Sequence, residues 1–198
     1  MGVSSYVAIN AMSVGTKAEG AFVQPPDGEE QSVPLSADSR EVDTSEKVAF
    51  CALQDGSFEA FDLGTKLPVF HSGLSKGSSP LSSIAYSAEA SLVATGSSNG
   101  IISVYDTRAM NAPLLSFNRN GASVEDLIFL SSQDGAVGLA VATDDGLPYI
   151  ADVRPEGPSV YAELVGTDCD AVRNIRVRPG SREVWTAGDD GIVRRYVI

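Results

Sequence analysis

Histidine, cysteine and basic residues are scarce in this chain of 198 residues. It has one histidine and two cysteines, too few for a four-ligand zinc site or a disulfide framework. The 14 lysines and arginines are outnumbered by 26 acidic residues, and the net charge of −12 argues against a nucleic-acid partner. No apolar run approaches the roughly 18 residues of a membrane span, and no basic signal-peptide region is present. We therefore expect an intracellular protein with no membrane attachment.

Four turns of one form recur along the chain, each ending in glycine. They are Gln54-Asp55-Gly56, Ser98-Asn99-Gly100, Asp144-Asp145-Gly146 and Asp189-Asp190-Gly191, and the glycines are 44, 46 and 45 residues apart. Asn-Gly and Asp-Gly between apolar runs favour β-hairpins, because the turn requires positive φ angles. A period of about 40–45 residues with aromatic-Asp pairs such as Phe61-Asp62 is typical of a WD40 propeller, in which each repeat forms one four-stranded blade.

The repeat therefore predicts an all-β fold, an incomplete WD40-type β-propeller of about four blades spanning residues 1–198. The last blade has only three strands, because the sequence ends two residues after Tyr196. Inner strands are predicted at Leu81–Tyr86, Val124–Leu130 and Ala171–Val177, and outer strands near Leu67–Phe70, Leu114–Phe117 and Val160–Leu164. Because WD40 rings usually contain more blades than four, we interpret the chain as the C-terminal half of a longer propeller.

Residues 15–46 interrupt the first blade with a polar, acidic segment. Pro25, Pro26 and Pro34 lie within it, and acidic residues far outnumber basic ones. Such a composition cannot bury enough apolar area to order itself. We predict a flexible acidic insertion, which joins a first strand at Tyr6–Met12 to the apolar run Lys47–Leu53.

Several strings resemble one WD40 family. The segments 164–172 (LVGTDCDAV) and 190–196 (DGIVRRY) resemble the C-terminal blade of the proteasomal ATPase-associated factor 1 family, chaperones of the 19S regulatory particle. Residues 39–47, and the pattern of residues 99–113, also resemble that family. The resemblance implies a protein with no catalytic activity or cofactor, located in the cytoplasm and nucleus. It further implies binding to the C-terminal domain of a proteasomal ATPase subunit during assembly of the 19S base.

Aspartates of the predicted turns and loops are the candidate binding residues. In a WD40 blade the turn between the second and third strands shares one face with the loop leading to the next blade. Such a rim of carboxylates favours a basic partner. The alternative is local, since aspartate in these turns also accepts hydrogen bonds from backbone amides. With Asp55 as a further rim member, the candidates are Asp144, Asp145, Asp168, Asp170, Asp189 and Asp190.

A second function is suggested by Tyr105-Asp106-Thr107-Arg108, which fits the Trp-Asp-x-Arg-like box of WD40 receptors for cullin ligases. The alternatives to a proteasomal chaperone are therefore a substrate receptor of a cullin-RING ubiquitin ligase or a generic WD40 scaffold. The box also has a structural interpretation, in which its Asp and Arg tie their strand to a neighbour. Arg154 lies in a weaker copy of the box.

The remaining reactive and aromatic residues favour structural roles. No acidic or nucleophilic residue stands at a sequence spacing from His71 that is typical of a catalytic site. The sequence therefore argues against a hydrolytic enzyme. Cys51 is predicted in the core, and Cys169, between two aspartates, is expected to be a poor nucleophile. Trp185 is predicted to pack between blades. Arg194 and Arg195 are predicted to point to opposite sheet faces, one of them pairing with an acid.

Overall fold

The computed structural model describes residues 7–17, 43–73, 78–130, 137–153, 159–166, 170–178 and 180–198. Within these ranges the chain contains fifteen β-strands and no helix. The strands are β1 (Ile9–Thr16), β2 (Lys47–Leu53), β3 (Phe58–Asp62), β4 (Leu67–His71), β5 (Leu81–Ser87), β6 (Leu92–Ser97), β7 (Ile101–Asp106), β8 (Leu115–Asn118), β9 (Val124–Leu130), β10 (Gly138–Thr143), β11 (Tyr149–Asp152), β12 (Ser159–Glu163), β13 (Val172–Val177), β14 (Glu183–Gly188) and β15 (Val193–Val197).

Consecutive strands pair antiparallel into four separate sheets. The first three sheets have four strands each, in the order β1 to β4, β5 to β8 and β9 to β12. The fourth sheet has the three strands β13 to β15. The predicted four blades, with three strands in the last, are confirmed. The predicted inner and outer strands agree with the structure to within one residue at almost every end.

Neighbouring sheets meet through their first strands. β1 lies against β5, β5 against β9, and β9 against β13, and β2, β6 and β10 contribute to the same junctions. In the described part of the chain no contact of similar extent joins β13 to β1. The four sheets therefore form an open arc of a propeller, with β1, β5, β9 and β13 along its inner side.

The first strand begins and ends later than predicted. β1 runs from Ile9 to Thr16, where the sequence predicted Tyr6–Met12. Ser13 to Thr16 continue the antiparallel register with β2, up to the pair of Thr16 with Lys47, so each added residue gains backbone pairing. The predicted start of the acidic insertion at residue 15 is therefore wrong. Its residues 18–42 lie outside the described residues.

The core consists of apolar side chains between the sheets. In β10 all six residues are buried, with Leu139 and Val141 facing the second sheet and Ala140 and Ala142 facing the fourth. This is why the second strand of each repeat reads as an unbroken apolar run rather than an alternating one. Cys51 is buried in β2 as predicted, and burial, reinforced by Glu59, raises the pKa of its thiol.

The turn glycines have left-handed backbone conformations, but their surroundings differ. The φ angle is +83° at Gly100 and +72° at Gly191. A Cβ on Gly100 would lie 2.7 Å from the carbonyl oxygen of Ala122, in the loop leading to the next sheet. A Cβ on Gly191 would meet nothing within 4 Å. The same turn position is thus crowded inside the arc and open at its last sheet.

We expect Gly100→Ala to destabilise the protein more than Gly191→Ala. The strain of a left-handed alanine costs about 1–2 kcal/mol at both sites. Overlap with the Ala122 carbonyl adds about 1–3 kcal/mol at position 100 only. Urea denaturation of both variants measures the difference. Equal losses would show that the loop behind Gly100 yields freely and that sheet-to-sheet packing there is loose.

Candidate binding surface at the turn end of the sheets

One end of every sheet carries the glycine turn between its second and third strands, and we call it the turn end. In each sheet a turn residue donates its backbone N–H to a carbonyl just before or at the start of the innermost strand. The donor and acceptor pairs are Gln54 with Ala8, Ser98 with Pro80, Asp144 with Ser123 and Asp189 with Ala171, at 2.9–3.1 Å. The turns and the loops entering the inner strands therefore share this end, as expected from the repeat.

In three of the four turns the residue before the glycine is an aspartate, and its carboxylate accepts a hydrogen bond from the backbone N–H two residues ahead. The bonds run from Ser57 to Asp55, from Leu147 to Asp145 and from Ile192 to Asp190, at 2.9, 3.1 and 2.9 Å. This is the Asx-turn geometry that favours aspartate at such positions. These three carboxylates hold the shape of their own turns, which is the local role that the sequence left as an alternative.

The Asp145 carboxylate accepts hydrogen bonds from three different residues. Besides the Leu147 amide, its carboxylate accepts hydrogen bonds from the Thr143 hydroxyl, at 2.6 Å, and from the Asn120 side chain. Burial raises the pKa of Asp145, but the hydrogen bonds from Thr143, Asn120 and Leu147 outweigh it and hold the pKa below its usual value. Asp145 therefore also fastens the loop carrying Asn120 to the third sheet.

Asp189 and Asp190 are both engaged by arginines. The Arg173 guanidinium donates to both oxygens of Asp189, with its closest contact at 2.7 Å, and lies 2.8 Å from Glu125 of β9. The hydrogen bonds from Arg173 lower the pKa of Asp189. Asp190 forms an ion pair with Arg194, four residues ahead. Arg173 thus links β13 and the last turn to β9 in the preceding sheet.

Among the described residues, Asp144 and Asp170 are the candidate aspartates that are exposed and have no side-chain partner. Neither carboxylate has a hydrogen bond or ion pair to another described residue. Asp168 lies outside the described residues. The structure therefore divides the predicted rim into Asp145, Asp189 and Asp190, which are held by neighbours, and Asp144 and Asp170, whose carboxylates face solvent.

Arg119 is a charged residue of the turn end that the sequence did not single out. Its guanidinium donates to the Leu147 carbonyl at 2.8 Å and to Glu163 at 2.7 Å, and it lies 4.9 Å from the centre of the Tyr149 ring. It joins the loop after β8 to two strands of the third sheet. Its partners lie 28 to 44 residues away, so no local pattern could reveal them.

The Tyr105–Arg108 box lies at the opposite end of the second sheet. Arg108 donates to both oxygens of Asp106, at 2.8 and 2.6 Å, so the pair is local and does not tie β7 to a neighbour as predicted. Thr107 provides that link instead, because its N–H and hydroxyl both donate to the Ser91 carbonyl. The box therefore has a structural role in this sheet. Arg154 lies outside the described residues.

Three predictions about single side chains change in the structure. His71 does have an acidic neighbour, since its Nδ1 lies 3.0 Å from Glu59 across the β3–β4 pair. Both arginines of β15 are paired, Arg194 with Asp190 and Arg195 with Glu183 at 3.4 Å. Trp185 lies on the outer face of the last sheet, where it is exposed and not packed between blades.

The described residues include no group of three or more histidine, cysteine, aspartate or glutamate side chains placed to hold a metal ion. No helix in the same ranges is long and apolar enough to cross a membrane. A cavity of about 320 Å³ lies between the inner strands. Of its charged lining residues, Asp126 and Arg176 pair with each other, and neither histidine nor cysteine lines it.

Comparison with solved structures shows the fold class of this chain. Along 94% of this chain and 44% of the other, the fold matches the crystal structure of Saccharomyces cerevisiae Sqt1, with a TM-score of 0.64 and 20% identity. A chain of the mitotic checkpoint complex matches over 71% of this chain and 40% of its own length, with a TM-score of 0.59 and 19% identity. The designed Ika4 protein matches over 76% of this chain and 85% of its own length, with a TM-score of 0.61 and 14% identity. The chain is an incomplete WD40-type β-propeller.

Two curated proteins are similar to this chain over most of its length. Proteasomal ATPase-associated factor 1 of Gallus gallus is 28% identical over 96% of this chain, and the probable Dictyostelium discoideum protein of that name is 24% identical over 80%. No family model matches the chain. The chain is similar to proteins of this name, which confirms the resemblance seen in its sequence. It spans 43% and 38% of the two relatives' lengths, consistent with half of a longer propeller.

We expect Asp145→Ala to destabilise the protein by about 1–3 kcal/mol at neutral pH, because three hydrogen-bond donors lose their acceptor. Asp144→Ala is the matched control, with the same charge change one residue away and no partner lost, and we expect it to be within about 0.5 kcal/mol of the parent. Chemical denaturation of both variants measures this. A loss at position 144 as large as at 145 would contradict the assignment of roles.

The effect of Asp145→Ala should also depend on pH. The pKa of Asp145 is lower in the folded than in the unfolded state, so its stabilisation is complete above the unfolded value of about 4. It is lost as the pH falls from there through the folded-state value. Denaturation curves of parent and variant should therefore converge in acid. A constant difference between them down to the lowest pH at which the parent folds would argue against a titrating Asp145.

Proposed function

We propose that this chain is a non-catalytic WD40 binding module that binds a proteasomal ATPase subunit and assists assembly of the 19S regulatory particle base. The observation that carries the proposal is the similarity, over nearly the whole chain, to proteins named proteasomal ATPase-associated factor 1. Association with proteasomal ATPases is what that name states of the relatives. Its transfer to this chain is the proposal, with the C-terminal domain of the ATPase subunit as the expected contact.

The turn end supports a basic surface as the binding site on the partner. Asp144 and Asp170 present carboxylates to solvent there, and the chain as a whole has a net charge of −12. Carboxylates already paired with arginine, such as Asp189, would have to exchange one partner for another. Unpaired carboxylates keep their full attraction for an incoming cation, so Asp144 and Asp170 are the residues we expect to contribute most.

The pairing within the turn end also supports a preorganised surface. Arg119, Arg173 and Asp145 each connect a loop or inner strand to a different part of the arc. A partner that docks on the turn end would meet loops already held in place, so binding would cost little ordering of the backbone. This favours a scaffold that holds a partner over a surface that folds on contact.

The double variant Asp144→Lys/Asp170→Lys should weaken binding to the isolated C-terminal domain of a proteasomal ATPase subunit. We expect a loss of about tenfold or more at low salt, shrinking as salt is raised, because rim charges act through screened attraction. Glu46→Lys/Glu89→Lys is the matched control, with the same change in net charge at the opposite end of the sheets. Titration calorimetry across the ATPase subunits measures both.

Two results would contradict this proposal. Equal losses in the two double variants would show that net charge, and not the turn end, governs the interaction. Absence of binding to every ATPase domain, together with recovery of cullin-ligase adaptors in a purification from cells, would favour the ligase function instead. Circular dichroism of each variant checks that the sheets are intact.

A further inference from the structure

A short basic hairpin tip joins the first two strands of the last sheet, at the end opposite the turn end. Arg178, Ser181 and Arg182 lie in this tip, and all three are exposed. Beyond the paired strands β13 and β14, the Arg178 N–H donates to the Glu183 carbonyl at 3.0 Å, and the Ser181 N–H donates to the Arg178 carbonyl at 3.1 Å. The tip is therefore an ordered, positively charged projection on a chain whose net charge is −12.

The exposure of this tip does not depend on what lies beside the last sheet. Sheets of the arc pack through their faces, whereas a hairpin tip lies beyond the strand ends. The corresponding hairpin between β5 and β6 has a sheet on each side, and Glu89 at its tip is still exposed. Gly180 has a φ angle of +69°, and a Cβ on it would meet nothing within 4 Å. A tip of this kind stays accessible when sheets are added on either side.

Two arginines precede Ser181 at the spacing that arginine-directed protein kinases select. Arg178 stands three residues and Arg176 five residues before it, and no other serine or threonine of the sequence has arginine three residues before it. Kinases read such charge patterns with carboxylates that receive the guanidinium groups. The Arg178 side chain is 68% exposed and lies 3.2 Å from Glu183, so its present partner is a surface carboxylate that it can exchange at little cost.

We propose that Ser181 is a phosphorylation site of the folded protein, modified by an arginine-directed protein kinase that uses ATP. The Ser181 hydroxyl oxygen bonds to the γ-phosphorus of ATP while the bond from that phosphorus to the β–γ bridging oxygen breaks. ADP leaves, and the hydroxyl proton passes to the base of the kinase. A kinase groove binds extended chain, so the tip opens locally first, which costs less than unfolding the sheet because few hydrogen bonds hold it.

The tip is also built to receive the phosphate once it is added. The Ser181 hydroxyl accepts the Glu183 N–H at 3.2 Å, and phosphate oxygens can take over that role. The hydroxyl also donates to the Arg178 carbonyl at 3.0 Å, which would keep the Ser181 N–H as its other donor. The Arg182 side chain has no ion pair or hydrogen bond to another described residue. Phosphate and guanidinium groups form strong charge-assisted hydrogen bonds, so Arg182 and Arg178 are its expected partners.

Phosphopeptide mapping of the folded 198-residue chain tests the site. Incubation with ATP, Mg²⁺ and an arginine-directed kinase should place phosphate on Ser181, and Ser181→Ala should remove it. Arg178→Ala should lower the initial rate by about tenfold or more, because the kinase loses a bidentate contact. Arg182→Ala is the matched control, since it removes the same charge on the other side of the serine, and its rate should stay within about twofold of the parent.

Three results would overturn the proposal. One is phosphate on other hydroxyl groups and not on Ser181, and another is a rate that Arg178→Ala leaves unchanged. The third is modification of a synthetic peptide of residues 174–184 without modification of the folded chain, because the hairpin would then exclude the kinase.

Phosphorus NMR of the modified chain tests the pairing with arginine. The second pKa of phosphoserine is about 6, and a neighbouring guanidinium group lowers it by stabilising the dianion. We expect a lower value in the parent and a rise toward the ordinary value in Arg182→Ala. Equal values in the two proteins would overturn the assignment of Arg182 as a partner of the phosphate.

Discussion

Each sheet of this chain has apolar side chains on both of its faces, and the need to bury both faces is the constraint on which the rest of the structure depends. A sheet with one apolar face can be satisfied by one neighbour, but β10, buried throughout its length, requires a sheet on each side. Sheet therefore follows sheet along an arc. The ion pairs and side-chain hydrogen bonds described above lie mainly at the ends of the sheets, where turns and loops meet.

The arc also explains why so few of the acidic residues at the turn end are free. Loops from one sheet lie on the turns of the next, as where the Asn120 side chain donates to Asp145 and Arg119 of the same loop pairs with Glu163. An aspartate that closes its own turn or receives an arginine is satisfied inside the protein. Asp144 and Asp170 lack such partners among the described residues. Which carboxylates can attract a partner therefore depends on which of them are already paired within the protein, and not only on how many acidic residues lie at the turn end.

An open arc has two ends that the same constraint leaves unsatisfied. Trp185 stands six residues before its turn glycine, and the residues at the same position in the other sheets, Phe50, Ala94 and Ala140, are fully buried. At the ends, Trp185 of the last sheet and Met12 and Val14 of the first sheet are apolar although no described sheet covers them. The relatives are more than twice as long as the matched region, so they hold further chain with which such ends can be covered.

The sequence by itself determined the repeat, the four sheets and nearly every strand boundary, because turn glycines and apolar runs are local signals that recur at a fixed period. It misplaced β1, whose last residues carry little apolar pattern and are fixed by backbone pairing with β2 across a long segment. Among the candidate aspartates, the sequence identified the right turns but not which carboxylates are engaged. The partners of Asp189 and Arg119 and the exposure of Trp185 were decided only by the tertiary structure, since charge pairing and burial depend on residues of other strands that lie 16 to 44 residues away along the chain.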